Sequence, residues 1–237
     1  MANNDIYSGL MTGCPAWYDI ESIDKRIQGK GDIRKIAISD PSDVLSYGKQ
    51  SVMLVKFLKE KYPEAEINYI FHRGIESDNY TGSIVAKANV DLQQKLEAIG
   101  VKIHDIAYGY EGFEIYDECD IHIGYRVHAH IYNLSRRNKT ILIEEDVRGA
   151  GINDALGLWR IKAYQKKRKI AYSTGGKIYN KVYDHFETNK SLIEEVNTYI
   201  QYLNSNDYLL FNEAFGRMEN YYLNMQRHIK MMLNKDS

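Results

Sequence analysis

Only two cysteines, Cys14 and Cys119, and three prolines occur in the 237 residues. Two thiols cannot build a disulfide framework, and no second pair is present to complete a zinc site. Runs of about 18 consecutive apolar residues are missing, so no membrane-spanning helix is expected. The opening Met1-Ala2-Asn3-Asn4-Asp5 shows no basic segment followed by an apolar one, hence no signal peptide. A basic surplus is lacking too. Lys+Arg number 31 against Asp+Glu 32, a net charge of -1 that offers no sequence-independent hold on nucleic acid. These absences predict a reduced, soluble, cytoplasmic protein with no nucleic-acid partner and no transmembrane segment.

Glycine-rich phosphate fingerprints are also missing. Neither Gly-x-Gly-x-x-Gly nor Gly-x-x-x-x-Gly-Lys-Ser/Thr occurs, and Gly149-Ala150-Gly151 follows the last expected strand, not the first. Thr174-Gly175-Gly176-Lys177 reads as a turn before a strand-like Ile178-Tyr179. Without Gly-x-Ser-x-Gly there is no esterase nucleophile elbow. What is present is ordinary globular material, 44% hydrophobic and 27% charged. The one oddity is twenty tyrosines against six phenylalanines. Tyrosine suits half-buried surfaces and carbohydrate or partner contacts, although an A+T-rich coding sequence enriches it as well.

From Ile33 onward, strand-like runs alternate with helical periodicity. Ile33 to Ser39 leans to β and stops at Asp40-Pro41. Leu45 to Tyr62 spaces Val52, Val55, Leu58 and Tyr62 as one buried helix face, ended by Pro63. Glu66 to His72 predicts a second strand, 75–82 a loop, and Ile84 to Ile99 a helix with Gly100 in the capping place. Val101 to Ile106 predicts the third strand, Glu111 to Cys119 a short helix, and Asp120 to Gly124 the fourth strand. Val127 to Arg136 is helical, and Thr140 to Ile143 is the next strand. Strands separated by such helices predict a Rossmann-like doubly wound parallel sheet over 31–160, covered on both faces.

Residues 1–30 read as the remnant of a preceding half or a linker, and 161–237 as a helical extension. In that extension Lys166-Lys167-Arg168-Lys169 is a solvated basic face, and Ser191-Leu192-Ile193-Glu194 has capping-box spacing. A last helix, Tyr208 to Leu233, is striped with Phe211, Phe215, Met218, Tyr222, Met225, Ile229 and Met232. At ~1.5 Å per residue it overhangs a small domain. Its far end is expected to meet a second copy or a partner chain.

Ligands of an open parallel sheet bind outside the carboxyl ends of the strands. That rule selects Ser39-Asp40, His72-Arg73-Gly74, Ala107-Tyr108-Gly109, Gly124-Tyr125-Arg126-Val127-His128, and the stretch from Glu144 to Gly149. The fourth is the sharpest. Gly124 allows close backbone approach, the helix start offers free N–H groups, Arg126 supplies a planar fork for phosphate or carboxylate, and His128 exchanges a proton near neutral pH. His128 and His130, two apart, do not share a helix face, which speaks against one metal. Glu144, Glu145 and Asp146 alternate in an extended stretch, so a base or acceptor is expected there and no metal cage. His72 and Arg73 are given a site role.

Cys119-Asp120-Ile121-His122-Ile123-Gly124-Tyr125-Arg126-Val127-His128-Ala129-His130, followed by Thr140-Ile141-Leu142-Ile143-Glu144-Glu145-Asp146-Val147-Arg148-Gly149, resembles the polysaccharide pyruvyl transferase family. There a strand ending Gly-x-Arg-x-His, a helix, and a strand entering an acidic-Asp-x-Arg-Gly segment follow in that order. Thr12-Gly13-Cys14-Pro15 is similar to a further family segment, so the resemblance covers about Thr12 to Leu158. It implies transfer of pyruvate from phosphoenolpyruvate onto two hydroxyls of an exopolysaccharide or cell-envelope sugar as a cyclic ketal. It implies no cofactor beyond that donor, and one half of a GT-B-type architecture. It also implies that Arg126 and His128 bind phosphoenolpyruvate. By position, His128 is then the general acid, Arg148 a second positive contact, and Glu145 or Asp146 the base for the acceptor hydroxyl. Members carry an N-terminal half ahead of the Thr-Gly-Cys-Pro segment, and acceptor binding is expected to depend on it.

Two other readings stand beside this one. A nucleotide-sugar glycosyltransferase of similar architecture would use an acid among Glu144 to Asp146 for a ribose. A non-catalytic binding or assembly module would pair through the Phe211–Met232 face.

Overall fold

Strands buried on both faces read as near-continuous apolar runs, and this sheet is built from them. The computed structural model describes residues 11–29, 31–166 and 186–233. In it β1 (Lys35–Ser39), β2 (Glu66–Phe71), β3 (Lys102–Asp105), β4 (Ile121–Gly124), β5 (Thr140–Glu144) and β6 (Ile161–Lys162) form one sheet in the order β3-β2-β1-β4-β5-β6. Every pairing in it is parallel, with Ile38 beside Tyr69 and Ile36 beside Ile121. The crossovers contain α1 (Val44–Lys61), α2 (Ser83–Glu97), α3 (Val127–Ser135) and α4 (Val147–Leu156). This is the expected Rossmann-like doubly wound α/β fold. A short antiparallel pair, β7 (Tyr164–Lys166) with β8 (Phe186–Thr188), precedes α5 (Leu192–Ser205) and α6 (Leu209–Leu233).

Alternation along β1 splits the core. Ile36 and Ile38 join the main cluster with Leu54 and Leu58 of α1, while Ala37 joins Ile70, Tyr116 and Ala129 in a smaller one. Asp43 caps α1 by accepting from the Ser46 N–H at 3.1 Å. Gly100, just beyond α2, has φ +73°, the left-handed conformation that ends a helix cheaply.

Three expectations need correction. The short helix expected over Glu111 to Cys119 is present but is a 3-10 helix that stops at Tyr116. The stretch after Glu144 holds α4 and then β6, neither of them anticipated. The boundary at residue 160 is no break in packing. Trp17 on one side, and Val196, Ile200, Phe211 and Phe215 on the other, belong to the main cluster. Within α6, Phe211, Ala214, Phe215 and Met218 are buried, whereas Ile229 to Leu233 are exposed. The helix does overhang. Of the basic run, Lys167 to Lys169 lie outside the described residues, as does the expected turn from Thr174 to Tyr179.

Candidate active site

β1 and β4 are neighbours whose following strands run off to opposite sides, the arrangement that parts the loops above a sheet. A cleft of about 400 Å³ opens there, and five strand ends contribute to it. Ser42 comes from beyond β1, His72 and Arg73 from β2, and Tyr108, Tyr110 and Phe113 from β3. Tyr125, Arg126 and His128 come from β4, and Glu145, Asp146 and Arg148 from β5. The candidate residues therefore converge, with one exception.

The exception is Gly124. It lines no part of the cleft, and a β-carbon there would meet Ser39 Oγ at 2.3 Å, Ser39 N at 2.6 Å and Ser39 O at 2.8 Å. Its missing side chain admits the backbone of β1, not a ligand.

Arg126 also departs from expectation. Its Nε donates to Asp40 Oδ1 at 2.6 Å, Nη2 to Asp40 Oδ2 at 2.5 Å, and Nη1 to Ser42 Oγ at 2.9 Å. Asp40 is 2% exposed and Arg126 7%. Asp40 also accepts from the His72 N–H at 3.2 Å. The fork that the sequence offers to a ligand is thus filled by a carboxylate of the protein. A guanidinium left unpaired at this depth would be a costly buried charge.

Beneath the cleft a polar chain crosses the sheet. Its hydrogen positions follow from its two ends. The Arg126 N–H must donate to Ser39 Oγ, at 3.0 Å, and Glu144 must accept from Asn153 Nδ2, at 3.1 Å. Asn153 Oδ1 then accepts from His130 Nε2 at 3.2 Å, which leaves His130 Nδ1 to accept from Thr140 at 2.9 Å. Thr140 Oγ1 accepts from His122 Nδ1 at 2.8 Å, and His122 Nε2 accepts from Ser39 at 2.9 Å. Both imidazoles are neutral in this assignment, and burial holds them so. It pushes His130 down to about 3 and His122 well below the ordinary value.

The remaining candidates sit nearer solvent. His72 bonds Tyr116 Oη at 2.7 Å, and burial, helped by the Arg126 charge, lowers it to about 3. It is a neutral hydrogen-bonding group. Arg73 and His128 are exposed, and their side chains make no hydrogen bond or ion pair among the described residues, although the Arg73 carbonyl accepts from Thr81 Oγ1 at 2.6 Å. Arg148 clasps Asp146, with Nη2 at 2.6 Å, and Asp146 also caps α4 by accepting from the Arg148 N–H. That clasp lowers the Asp146 carboxyl. Glu145 accepts from Ser42 N at 2.8 Å and Asp43 N at 3.1 Å, while burial pushes its carboxyl up. Glu144 turns away to Arg160 and Asn153. The three adjacent acids therefore take three separate partners.

Chemically the cleft offers one unmatched guanidinium, one exposed imidazole, one carboxylate of raised proton affinity, and an aromatic rim. Sequence reasoning marked Asp40 only as a strand-end residue, without its partner, and singled out neither Ser42 nor the rim residues Tyr110 and Phe113. For Asp40 there was a signal: an acid ending β1 and an arginine ending β4 become neighbours once those strands pair.

No family model and no curated protein matches the chain. Among solved structures, trehalose-6-phosphate synthase (OtsA) aligns over 92% of this chain and 48% of its own, with 10% identity and a TM-score of 0.50. An apo structure of OtsA aligns over 90% of this chain and 49% of its own, with 11% identity and a TM-score of 0.45. The chain spans about half the length of these proteins. At such identity the first likeness speaks for the fold alone, and that fold is a Rossmann-like α/β sheet of GT-B-like architecture.

Proposed function

We propose that the chain is the donor-binding half of a sugar-modifying transferase, and that the group transferred is pyruvate from phosphoenolpyruvate. The carrying observation is that Arg73 and His128, whose side chains make no hydrogen bond or ion pair among the described residues, share one cleft at the switch point of the sheet. They do so in a chain whose residues from Cys119 to Gly149 resemble the pyruvyl transferase motifs.

In this reading Arg73 receives the phosphate or carboxylate of the donor, as a planar fork open to solvent. Arg126, matched by Asp40, orients the floor of the site. The His128 imidazolium gives its proton to the methylene carbon, which becomes the methyl group. One acceptor hydroxyl attacks C2, and its proton passes to Glu145 or Asp146. The second hydroxyl closes the ketal as the C2–O bond to phosphate breaks, and phosphate leaves with the remaining proton. Glu145 is the better base, because burial has raised its proton affinity whereas the clasp on Asp146 has lowered that of its neighbour. No cofactor takes part.

The test is phosphate release on mixing the protein with phosphoenolpyruvate and candidate sugars, with calorimetry for donor binding. The absence of both phosphate release and saturable donor binding would remove the proposal. The fold likeness to a trehalose-6-phosphate synthase keeps a nucleotide-sugar donor as the second reading. Stronger thermal stabilisation by nucleoside diphosphates than by phosphoenolpyruvate would favour it.

A further inference from the structure

The loop after β3 has features that donor binding leaves unused. Tyr108 adopts φ +67°, a conformation strained for any residue with a β-carbon. Its ring is 67% exposed, and those of Tyr80 and Tyr110 are 81% and 82% exposed. The Tyr80 and Tyr108 rings are held, not loose. The Tyr108 hydroxyl donates to Asp78, which also accepts from the Tyr80 and Thr81 N–H groups at 2.7 Å each. The Tyr80 and Tyr108 rings lie 5.5 Å apart at 42°. Tyr108 lines the cleft together with Arg73 and His128, and it also lines a neighbouring groove of about 480 Å³. Asp78, Asp105, Glu76 and Gln93 line that second groove.

We propose that the Tyr80–Tyr108 ridge and the groove beyond it bind the carbohydrate acceptor, as an oligosaccharide reaching across Tyr108 into the cleft. The inference rests on reading the cleft as a transferase site. A pyranose shows C–H bonds on its faces and hydroxyls around its edge. The negative face of a phenol ring attracts the former. Carboxylates accept from the latter, and those here have room to do so. Asp105 takes one backbone N–H on each oxygen, from Ile75 and Ala107 at 3.0 Å, and an ionised carboxylate has about four lone-pair sites. The same acids repel phosphates, and no lysine or arginine lines the groove to offset them. An uncharged polyhydroxylated chain fits this combination.

The test uses a printed array of neutral and acidic oligosaccharides, followed by calorimetry with the strongest array ligand and with phosphoenolpyruvate. Tyr108→Gly removes the ring and relieves the backbone, so its melting temperature checks that the fold is kept. Tyr80→Ala removes an exposed ring that lies outside the cleft. Oligosaccharide affinity should fall at least about tenfold in Tyr108→Gly, fall in Tyr80→Ala, and be retained in Tyr108→Phe. Phosphoenolpyruvate affinity should be unchanged in Tyr80→Ala. Failure of the array to retain any oligosaccharide, or unchanged glycan affinity in Tyr108→Gly, overturns the inference. Glycan binding without phosphoenolpyruvate binding overturns the donor reading and leaves this one standing.

Discussion

Three imidazoles are held neutral inside this protein, and mild acid should unfold it. His122 and His130 each give one proton to the buried chain and accept another, so a second ring proton would set two donors facing each other at Ser39 or Thr140. His72 lies against Phe113 and Tyr116. Burial lowers His72 and His130 to about 3, and His122 well below its ordinary value. In the unfolded chain each takes its proton near 6.5. Between these limits the unfolded state binds more protons than the folded one, so stability rises with pH. The stabilisation is fully present above pH 6.5 and is lost as pH falls toward the folded values. While the folded rings stay neutral, the loss depends only on the unfolded value, at about 2 kcal/mol per ring between pH 7 and pH 5. Three rings give about 6 kcal/mol, comparable to the ~5–15 kcal/mol that holds a typical domain together.

Urea denaturation at pH 7, 6 and 5 reads this directly, and His130→Gln should remove about one third of the pH dependence. Imidazole C–H resonances of His122 and His130 should not titrate near pH 6.5. A stability that is flat between pH 7 and pH 5, or rings that titrate normally, would refute both the neutral assignment and the hydrogen-bond directions drawn from it.

Gly124→Ala should cost about 3 kcal/mol in urea denaturation, because the new methyl group meets the backbone N and O of Ser39, which cannot yield, as well as its hydroxyl. Asp40→Ala should cost about 3–5 kcal/mol by leaving Arg126 charged and unpaired, and the Asp40→Ala/Arg126→Met double variant should recover part of that loss. Arg73→Ala and His128→Ala should leave the melting temperature essentially unchanged, both side chains being exposed, while weakening phosphoenolpyruvate binding in calorimetry. The Arg73 effect should shrink as salt is raised. A salt-independent effect would point to altered packing.

The strand ends were legible because the carboxyl-edge rule needs only strand order and direction. That is why His72, Arg73, Arg126, His128, Glu145, Asp146 and Arg148 were found, and why they meet. What the residue types could not reveal was the partner each would take. Arg126 reads as a receptor when considered alone. Its anion lies 86 positions away in the chain and arrives only through the β1–β4 pairing. Gly124 was correctly marked as a place of close approach, but the approaching group is Ser39. α4 was hidden by Gly149 and Gly151, which dilute a helical period. Gly149 is small because a β-carbon there would lie 2.7 Å from Leu142 Cδ2. β6, with two residues, is shorter than any periodicity can show.

The pairing of Arg126 with Asp40 divides the labour of the site. Inside, Arg126, Asp40, Ser42 and Glu145 tie the ends of β1, β4 and β5 to the first turn of α1. Such cross-links fix dipoles before any ligand arrives, the condition under which electrostatic help in catalysis is largest. They offer no spare positive charge, because the one guanidinium among them, Arg126, is already matched by Asp40. The charge that meets an incoming anion is therefore left to Arg73 at the mouth, where water and salt weaken it. A small anionic donor held in this way gains modest affinity by itself. On the proposed reading, the specificity of a transferase built on this cleft then has to come from the acceptor, and the Tyr80–Tyr108 pair offers uncharged aromatic surface beside Arg73.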